Sequence, residues 1–244
     1  MIISFASSKG GVGKSTICAA IGACLAQRGE EVLILDLDQN RTVERWGRKA
    51  SIGGLTVKAV ERDSFTSEFR EAVGISPPDH ILIDLAGTRE ATVLKAIARS
   101  DLVVIPAQAS EPDLREALVV VCDIRDVGED KRAPIPYRLL LTKMPSLRTR
   151  VTDFAYQELA RHGLPIFRTV MVERVARVDG AEGGQGHALG RDPALAHEIA
   201  QNRIARLRLD RAQKADRRGH GLTSLFHHGC LTRQGHPYQP RRHG

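Results

Sequence analysis

Residues 2–16 read Ile2-Ile3-Ser4-Phe5-Ala6-Ser7-Ser8-Lys9-Gly10-Gly11-Val12-Gly13-Lys14-Ser15-Thr16: an apolar run of strand length, a glycine-rich turn, then the apolar spacing of a helix near 15–28. Glycines let successive backbone N–H groups turn toward one anion, and the N-terminus of the next helix adds the positive end of its dipole. Lys14 brings a full charge to the β- and γ-phosphates of a nucleotide, and Ser15 is placed to hold Mg2+. A chance glycine turn seldom combines two lysines, a hydroxyl and the flanking strand and helix. The stretch therefore predicts a P-loop nucleoside triphosphatase, with Gly10, Gly11, Val12, Gly13, Lys14, Ser15 and Thr16 contacting the nucleotide.

Outward from this loop, apolar runs recur at 32–37 (VLILDL), 80–85 (HILIDL), 102–107 (LVVIPA) and 137–142 (YRLLLT), with Leu55 to Val60 as a further candidate strand. Runs without polar alternation suit strands covered on both faces. Helical patterns near 64–74, 90–99, 111–127 and 149–162 lie between them. The order predicts an α/β fold, a doubly wound, mostly parallel sheet flanked by helices, with ligands at the carboxyl ends of its strands.

At 244 residues and 42% hydrophobic content the chain can bury one sizeable core. The formal charge of +7 is uneven, because residues 174–244 hold 13 Lys/Arg and 6 Asp/Glu, leaving 23 of each before them. The apolar pattern fades after Ala176, where VDGAEGGQGHALG carries five glycines. The expected organisation is an ATPase domain at 1–176, a glycine-rich linker at 177–192 and a basic tail at 193–244, disordered apart from a possible helix at 193–218. That helix has a thin apolar stripe (Leu195, Ile199, Leu207) without Trp or Phe, which argues against membrane insertion. Seven scattered histidines after Arg174 do not make a tetrahedral metal site. The N-terminus lacks the basic start and cleavage site of a secretory signal and no apolar run is long enough to span a bilayer, so a cytoplasmic location is expected. Cys18, Cys24, Cys122 and Cys230 never form a C-x-x-C pair. Buried free thiols are expected, and an iron-sulfur relative is not.

A standard P-loop has glycine where Ser8 stands, and it lacks Lys9. The pattern K-G-G-x-G-K-[ST] is the deviant Walker A loop, and over about residues 1–176 the sequence resembles the ParA/MinD family of partitioning and positioning ATPases. The run D-x-D-x-N-R followed by a tryptophan, Asp36 to Trp46, is more similar to ParA-type proteins of Ti-plasmid conjugation systems than to chromosomal ParA. The resemblance implies that Lys9 reaches across a nucleotide-sandwich homodimer to the partner's phosphates. It also implies that Asp38 orients the attacking water, that Asp36 lies near the magnesium shell and that Asp84 binds Mg2+ through water. The family's usual Thr-Pro-Pro after that last aspartate is replaced by Leu85-Ala86-Gly87-Thr88, where Gly87 can still offer an amide near the γ-phosphate and slow hydrolysis is expected.

No strong base or nucleophile is evident. That suits phosphoryl transfer to water, where positioning and charge neutralisation supply most of the rate, with Lys9, Lys14 and Asp38 as the catalytic set and ATP and Mg2+ as cofactors. After the last strand, Lys143-Met144-Pro145 stands where guanine-binding relatives carry T-K-x-D. This favours adenine, with Lys143 beside the nucleotide.

By the same resemblance, Arg148, Arg150, Arg168 and Arg174 are candidates for non-specific DNA binding; a solvated basic face is the plain alternative. No helix-turn-helix precedes the loop, so no sequence-specific reader is expected. The implied function is an ATP-dependent partition or positioning ATPase, associated with the nucleoid and reset by a ParB-like or other activating partner. Two other classes stay open: an ATP-dependent scaffold that positions a protein complex, and a small-molecule kinase or ligase with a related P-loop.

Overall fold

The computed structural model describes residues 1–87, 90–145 and 149–172, all within the first of two units, Met1–Ile199. The segments read above as linker, possible helix and tail lie outside these residues, as do Arg148 and Arg174.

The element order is β1 (Ile2–Phe5), α1 (Lys14–Gln27), β2 (Val32–Asp36), α2 (Thr42–Gly47), β3 (Leu55–Ala59), α3 (Phe65–Ala72), β4 (His80–Asp84), α4 (Ala91–Arg99), β5 (Leu102–Ala107), α5 (Glu111–Asp130), β6 (Tyr137–Leu141) and α6 (Arg150–Arg161). The six strands form one sheet in the order β3-β2-β4-β1-β5-β6, and every pairing is parallel. Each strand run anticipated in the sequence is present; α2 was not anticipated.

Every residue of β4 and β5 is buried, because the sheet is covered on both sides. Ile3, Phe5, Ile34, Leu82 and Val104 pack with α1 and Val43 on one face. Leu35, Ile81, Ile83, Val103, Ile105 and Leu139 pack with α3 to α6 on the other. Gly22 brings α1 close to the sheet: a Cβ there would come within 2.7 Å of Ile34 Cδ1. The chain leaves β1 for β2 and β3 on one side, then returns through β4 to build β5 and β6 on the other. The strand order thus reverses around β1, and the loop after it is where an open parallel sheet places its ligand.

Residues 165–172 extend the β6 margin without forming a regular strand. Leu139 N–H donates to the Pro165 carbonyl and Phe167 N–H returns to Leu139, both at 2.9 Å, and Met171 N–H reaches the Leu141 carbonyl at 2.9 Å. This occupies an edge whose amides and carbonyls would otherwise be open to other strands. Cys18 and Cys24 are buried free thiols, as expected.

Candidate functional site

Because β1 lies between β4 and β5, its continuation emerges over the middle of the sheet's carboxyl edge. Gly11 (φ 77°) and Gly13 (φ 97°) are left-handed, a conformation costly for a residue with a Cβ. A Cβ built at Gly10 or Gly11 meets nothing within 4 Å, so the loop's concave side is an open cradle. No side chain caps α1, and its first-turn N–H groups are left to face an anion. Across the loop, Thr142 Oγ1 at the end of β6 donates to the Val12 carbonyl at 2.9 Å.

Lys14 is 6% exposed. Its Nζ donates to Ser7 Oγ at 2.8 Å and to the Lys9 carbonyl at 3.4 Å. Burial lowers its pKa, while Asp84 and Asp38 act to raise it. A desolvated ammonium with oxygen partners on the loop itself is poised to exchange them for phosphate oxygens.

Asp36 and Asp84 are register partners on β2 and β4. Asp84 is wholly buried and neither carboxylate oxygen has a hydrogen-bond partner. Burial pushes it up to about 7; the nearby Ser15 hydroxyl, short of a well-formed hydrogen bond, and the Lys14 charge pull the other way. An orphaned carboxylate beside a serine at a phosphate cradle fits a hydrated Mg2+, an ion that keeps several waters and takes its remaining ligands from one or two protein groups and phosphates.

Asp36, expected near the magnesium shell, is held by backbone amides beside Asp84. Its Oδ2 accepts from Val43 N–H and Glu44 N–H, each at 3.0 Å, and its Oδ1 from Asp38 N–H at 3.1 Å. It therefore caps α2 from the end of β2 and shapes the segment that carries Asp38. Burial still raises its pKa, against those three amides. Asp38 is half-buried, and its Oδ1 accepts from Asn40 N–H at 2.9 Å.

Lys9 points away from the cradle. Its Nζ forms an ion pair with Asp113 Oδ1 at 2.8 Å, with the lysine side chain 51% exposed and the aspartate 7%. Its neighbour Ser8 donates to the Glu116 carboxylate at 2.7 Å and to its carbonyl at 3.1 Å. The two residues that depart from a standard loop are thus both held by the first turns of α5. Asp113 also accepts from Ser110, and its pKa is lowered: burial, the largest influence, opposes the shift but is outweighed by the Lys9 and Ser110 hydrogen bonds and the charges of Lys9 and Lys143.

A cavity of about 510 Å3 opens over the cradle, lined by Gly10, Gly11, Gly13, Lys14, Ser15 and Thr16, by Asp38, Gln39, Asn40 and Thr42 after β2, by Arg62 after β3, by Ala86 and Gly87 after β4, and by Lys143 after β6. A Cβ on Gly87 would sit 3.5 Å from Lys14 Nζ, so the turn after β4 closes directly on the loop. Lys143 has a left-handed backbone (φ 51°). Val12 is buried and Lys9 is turned outward, so neither lines the cavity. Arg62 was missed in the sequence, where a lone arginine in a charged loop gives no signal. Of the four arginines proposed for DNA, Arg150 begins α6 and Arg168 lies on the segment beside β6, both exposed.

A family model described as VirC1 protein matches residues 1–218, extending the similarity well beyond the 176 residues over which the sequence suggested it. A protein virC1 of Rhizobium rhizogenes is 28% identical over 191 residues, covering 76% of this chain and 82% of its own. Protein ParA of Rhizobium radiobacter is 27% identical over 186 residues, covering 72% and 79%. Among solved structures, cobyrinic acid a,c-diamide synthase from Mycobacterium smegmatis, determined with a bound ATP analogue and magnesium, superposes with a TM-score of 0.60 at 20% identity, covering 70% of this chain and 86% of that one. The relatives bear out the ParA-like resemblance, and the structural likeness bears out the fold.

Proposed function

The chain belongs to the VirC1 protein family, and from that premise we propose that it is a MgATP-dependent switch that dimerises on the nucleotide, binds DNA without sequence preference and hydrolyses ATP slowly. The observation that carries this reading is the pairing of an open phosphate cradle with Asp84, whose buried oxygens lack partners beside Ser15. The bound nucleotide and its Mg2+ would supply the transferable phosphoryl group and neutralise its charge. Lys14 and the loop amides would hold the phosphates, Ser15 and Asp84 the hydrated cation, and Lys143 would flank the base side. Asp38 would orient the attacking water, its loop fixed by the Asp36 cap.

Lys9 is the residue whose position must change. To reach a partner's phosphates it has to leave Asp113, so Asp113→Asn, which keeps the shape and removes the charge, is expected to lower the MgATP concentration needed for dimerisation by about twofold to fivefold, the scale of a partly exposed ion pair. Light scattering against nucleotide concentration measures this; an unchanged or raised midpoint counts against the cross-dimer role.

DNA contact is assigned to Arg148, Arg150, Arg168 and Arg174, with a ParB-like partner triggering reset. Fluorescence polarisation of labelled non-specific duplex is expected to show tight, salt-sensitive binding with a slowly hydrolysed MgATP analogue and little with MgADP. Arg150→Ala with Arg168→Ala should reduce the slope of log affinity against log salt by about 2, near one unit per lost phosphate contact. Equal or absent binding in both nucleotide states would favour a protein-positioning scaffold or a small-molecule ligase.

A further inference from the structure

Arg62 lines the nucleotide cavity from the loop after β3. The loop that carries it follows β3 and is fastened to the end of β2 by Val60 N–H donating to the Asp36 carbonyl at 2.9 Å. Its guanidinium pairs with Glu90, Nη1 to Oε2 2.8 Å, with side-chain exposures of 38% and 30%. Glu90 stands at the N-terminus of α4, beyond the turn that follows Asp84. The ion pair thus ties the β3 loop, where Arg62 lines the cavity, to the start of α4. Arg62 also lines an adjoining cavity of about 280 Å3 that shares Asp38 and Gln39.

Among the described residues that line the nucleotide cavity, the cations are Lys14, Arg62 and Lys143. Lys14 rises from the glycine loop itself, its Nζ on Ser7 and the Lys9 carbonyl. Lys143 follows β6 and Arg62 follows β3, strands at opposite edges of the sheet, so these two approach from opposite ends. On the Arg62 side stand Asp36, Asp38 and Asp84, whose negative charge opposes that of a terminal phosphate. Nearby Arg41 is committed to Glu61, and Lys9 to Asp113.

We propose that Arg62 is a cis-acting cation for the terminal phosphoryl group, held on Glu90 until phosphate oxygens replace the carboxylate. A guanidinium presents the same forked donors to carboxylate and to phosphate, so the exchange needs a side-chain swing and no refolding. In hydrolysis, the oxygen of water bonds to the terminal phosphorus and the bond to the bridging oxygen breaks, its electron pair leaving with ADP. The water's proton passes to the phosphate product. Charge on the three equatorial oxygens is what Arg62 meets, on the face where Asp38 would hold the water. The proposal rests on the ATPase reading above.

The test uses full-length Arg62→Ala, Arg62→Lys and Glu90→Gln. Affinity for fluorescent MgADP is titrated with and without aluminium fluoride, a planar mimic of the transferred phosphoryl group, alongside single-turnover hydrolysis. Arg62→Ala is expected to bind MgADP within about threefold of wild type while losing at least about tenfold of the tightening given by aluminium fluoride and a similar factor in turnover. Arg62→Lys should recover part of both. Glu90→Gln, which frees the guanidinium, should retain or increase both. Full tightening in Arg62→Ala, or equal losses in Arg62→Ala and Glu90→Gln, would overturn the proposal, the second outcome making the pair a strut. A wild type that binds MgADP but neither tightens nor turns over would overturn the ATPase reading as well.

Discussion

Asp84→Asn is expected to make the nucleotide-free protein less sensitive to alkaline pH than the wild type, and to abolish the tightening of nucleotide binding by Mg2+. The side chain is wholly buried with both oxygens unpartnered, and burial raises its pKa to about 7. A raised folded-state pKa means that the folded protein holds the proton more tightly than the unfolded chain, where an aspartic acid ionises near pH 3.9. Its contribution to stability is therefore complete below that value and is lost as pH rises to about 7, beyond which the cost is constant. Between pH 5 and pH 8 this one group should cost the apo wild type about 3 kcal/mol, a scale set by about 1.36 kcal/mol for each tenfold difference in proton affinity. Asparagine does not titrate, so the difference in unfolding free energy between variant and wild type should move by that amount across the interval. Any penalty for the buried amide is the same at both pH values and cancels. Urea unfolding at pH 5 and pH 8, without nucleotide or divalent ion, measures it. A bound divalent cation favours the ionised form, so Mg2+ with nucleotide should flatten the wild-type profile; an identical pH dependence of the two apo proteins would refute the assignment.

What the sequence disclosed and what it concealed follow from the range of the interactions involved. The phosphate loop is local: strand, glycines, lysine and hydroxyl occupy consecutive positions, and the same is true of the buried strands, whose uninterrupted apolar runs reflect cover on both faces. The helix α2 was hidden because its N-terminus is capped by Asp36, seven and eight residues away from the amides it binds, while Arg41 at its N-cap is left-handed. Neither fits the usual start signal of a polar side chain immediately before the helix. The partners of Ser8 and Lys9 were beyond reach for a simpler reason: Glu116 and Asp113 lie 108 and 104 positions along the chain, and α5 reads in sequence as an ordinary amphipathic helix with acidic residues near its start. Arg62 belongs to the same class, since only the fold carries the β3 loop to the mouth of a cavity begun at β1. Segment 165–172 has no strand pattern of its own and is recognisable only through its bonds to β6.

Lys14→Ala tests whether the cation and the carboxylates form one unit, and its largest expected effect is on nucleotide. Replacing a desolvated ammonium that faces phosphate oxygens should cost about 3 kcal/mol, or roughly a hundredfold in affinity for MgATP, the scale of one or two charge-assisted hydrogen bonds. Equilibrium titration of a fluorescent ATP analogue measures this, and affinity within about threefold of wild type would remove Lys14 from the phosphate site. The same substitution acts on the apo protein through Asp84. Lys14 opposes the upward shift of Asp84, and Asp84 in turn opposes the downward shift of Lys14, so each makes the other's burial less costly. Removing the lysine leaves Asp36, Asp38 and Asp84 without that neighbouring positive charge and should steepen the loss of apo stability with rising pH. Once Asp84 is asparagine, that additional steepening should largely disappear. The double variant Lys14→Ala with Asp84→Asn is therefore expected to be more stable at pH 8 than the sum of the single changes predicts, by at least about 1 kcal/mol, within the range for charges coupled through a shared site. Additivity within about 0.5 kcal/mol would mean that the two groups titrate independently, and the charge balance inferred for the cradle would not hold.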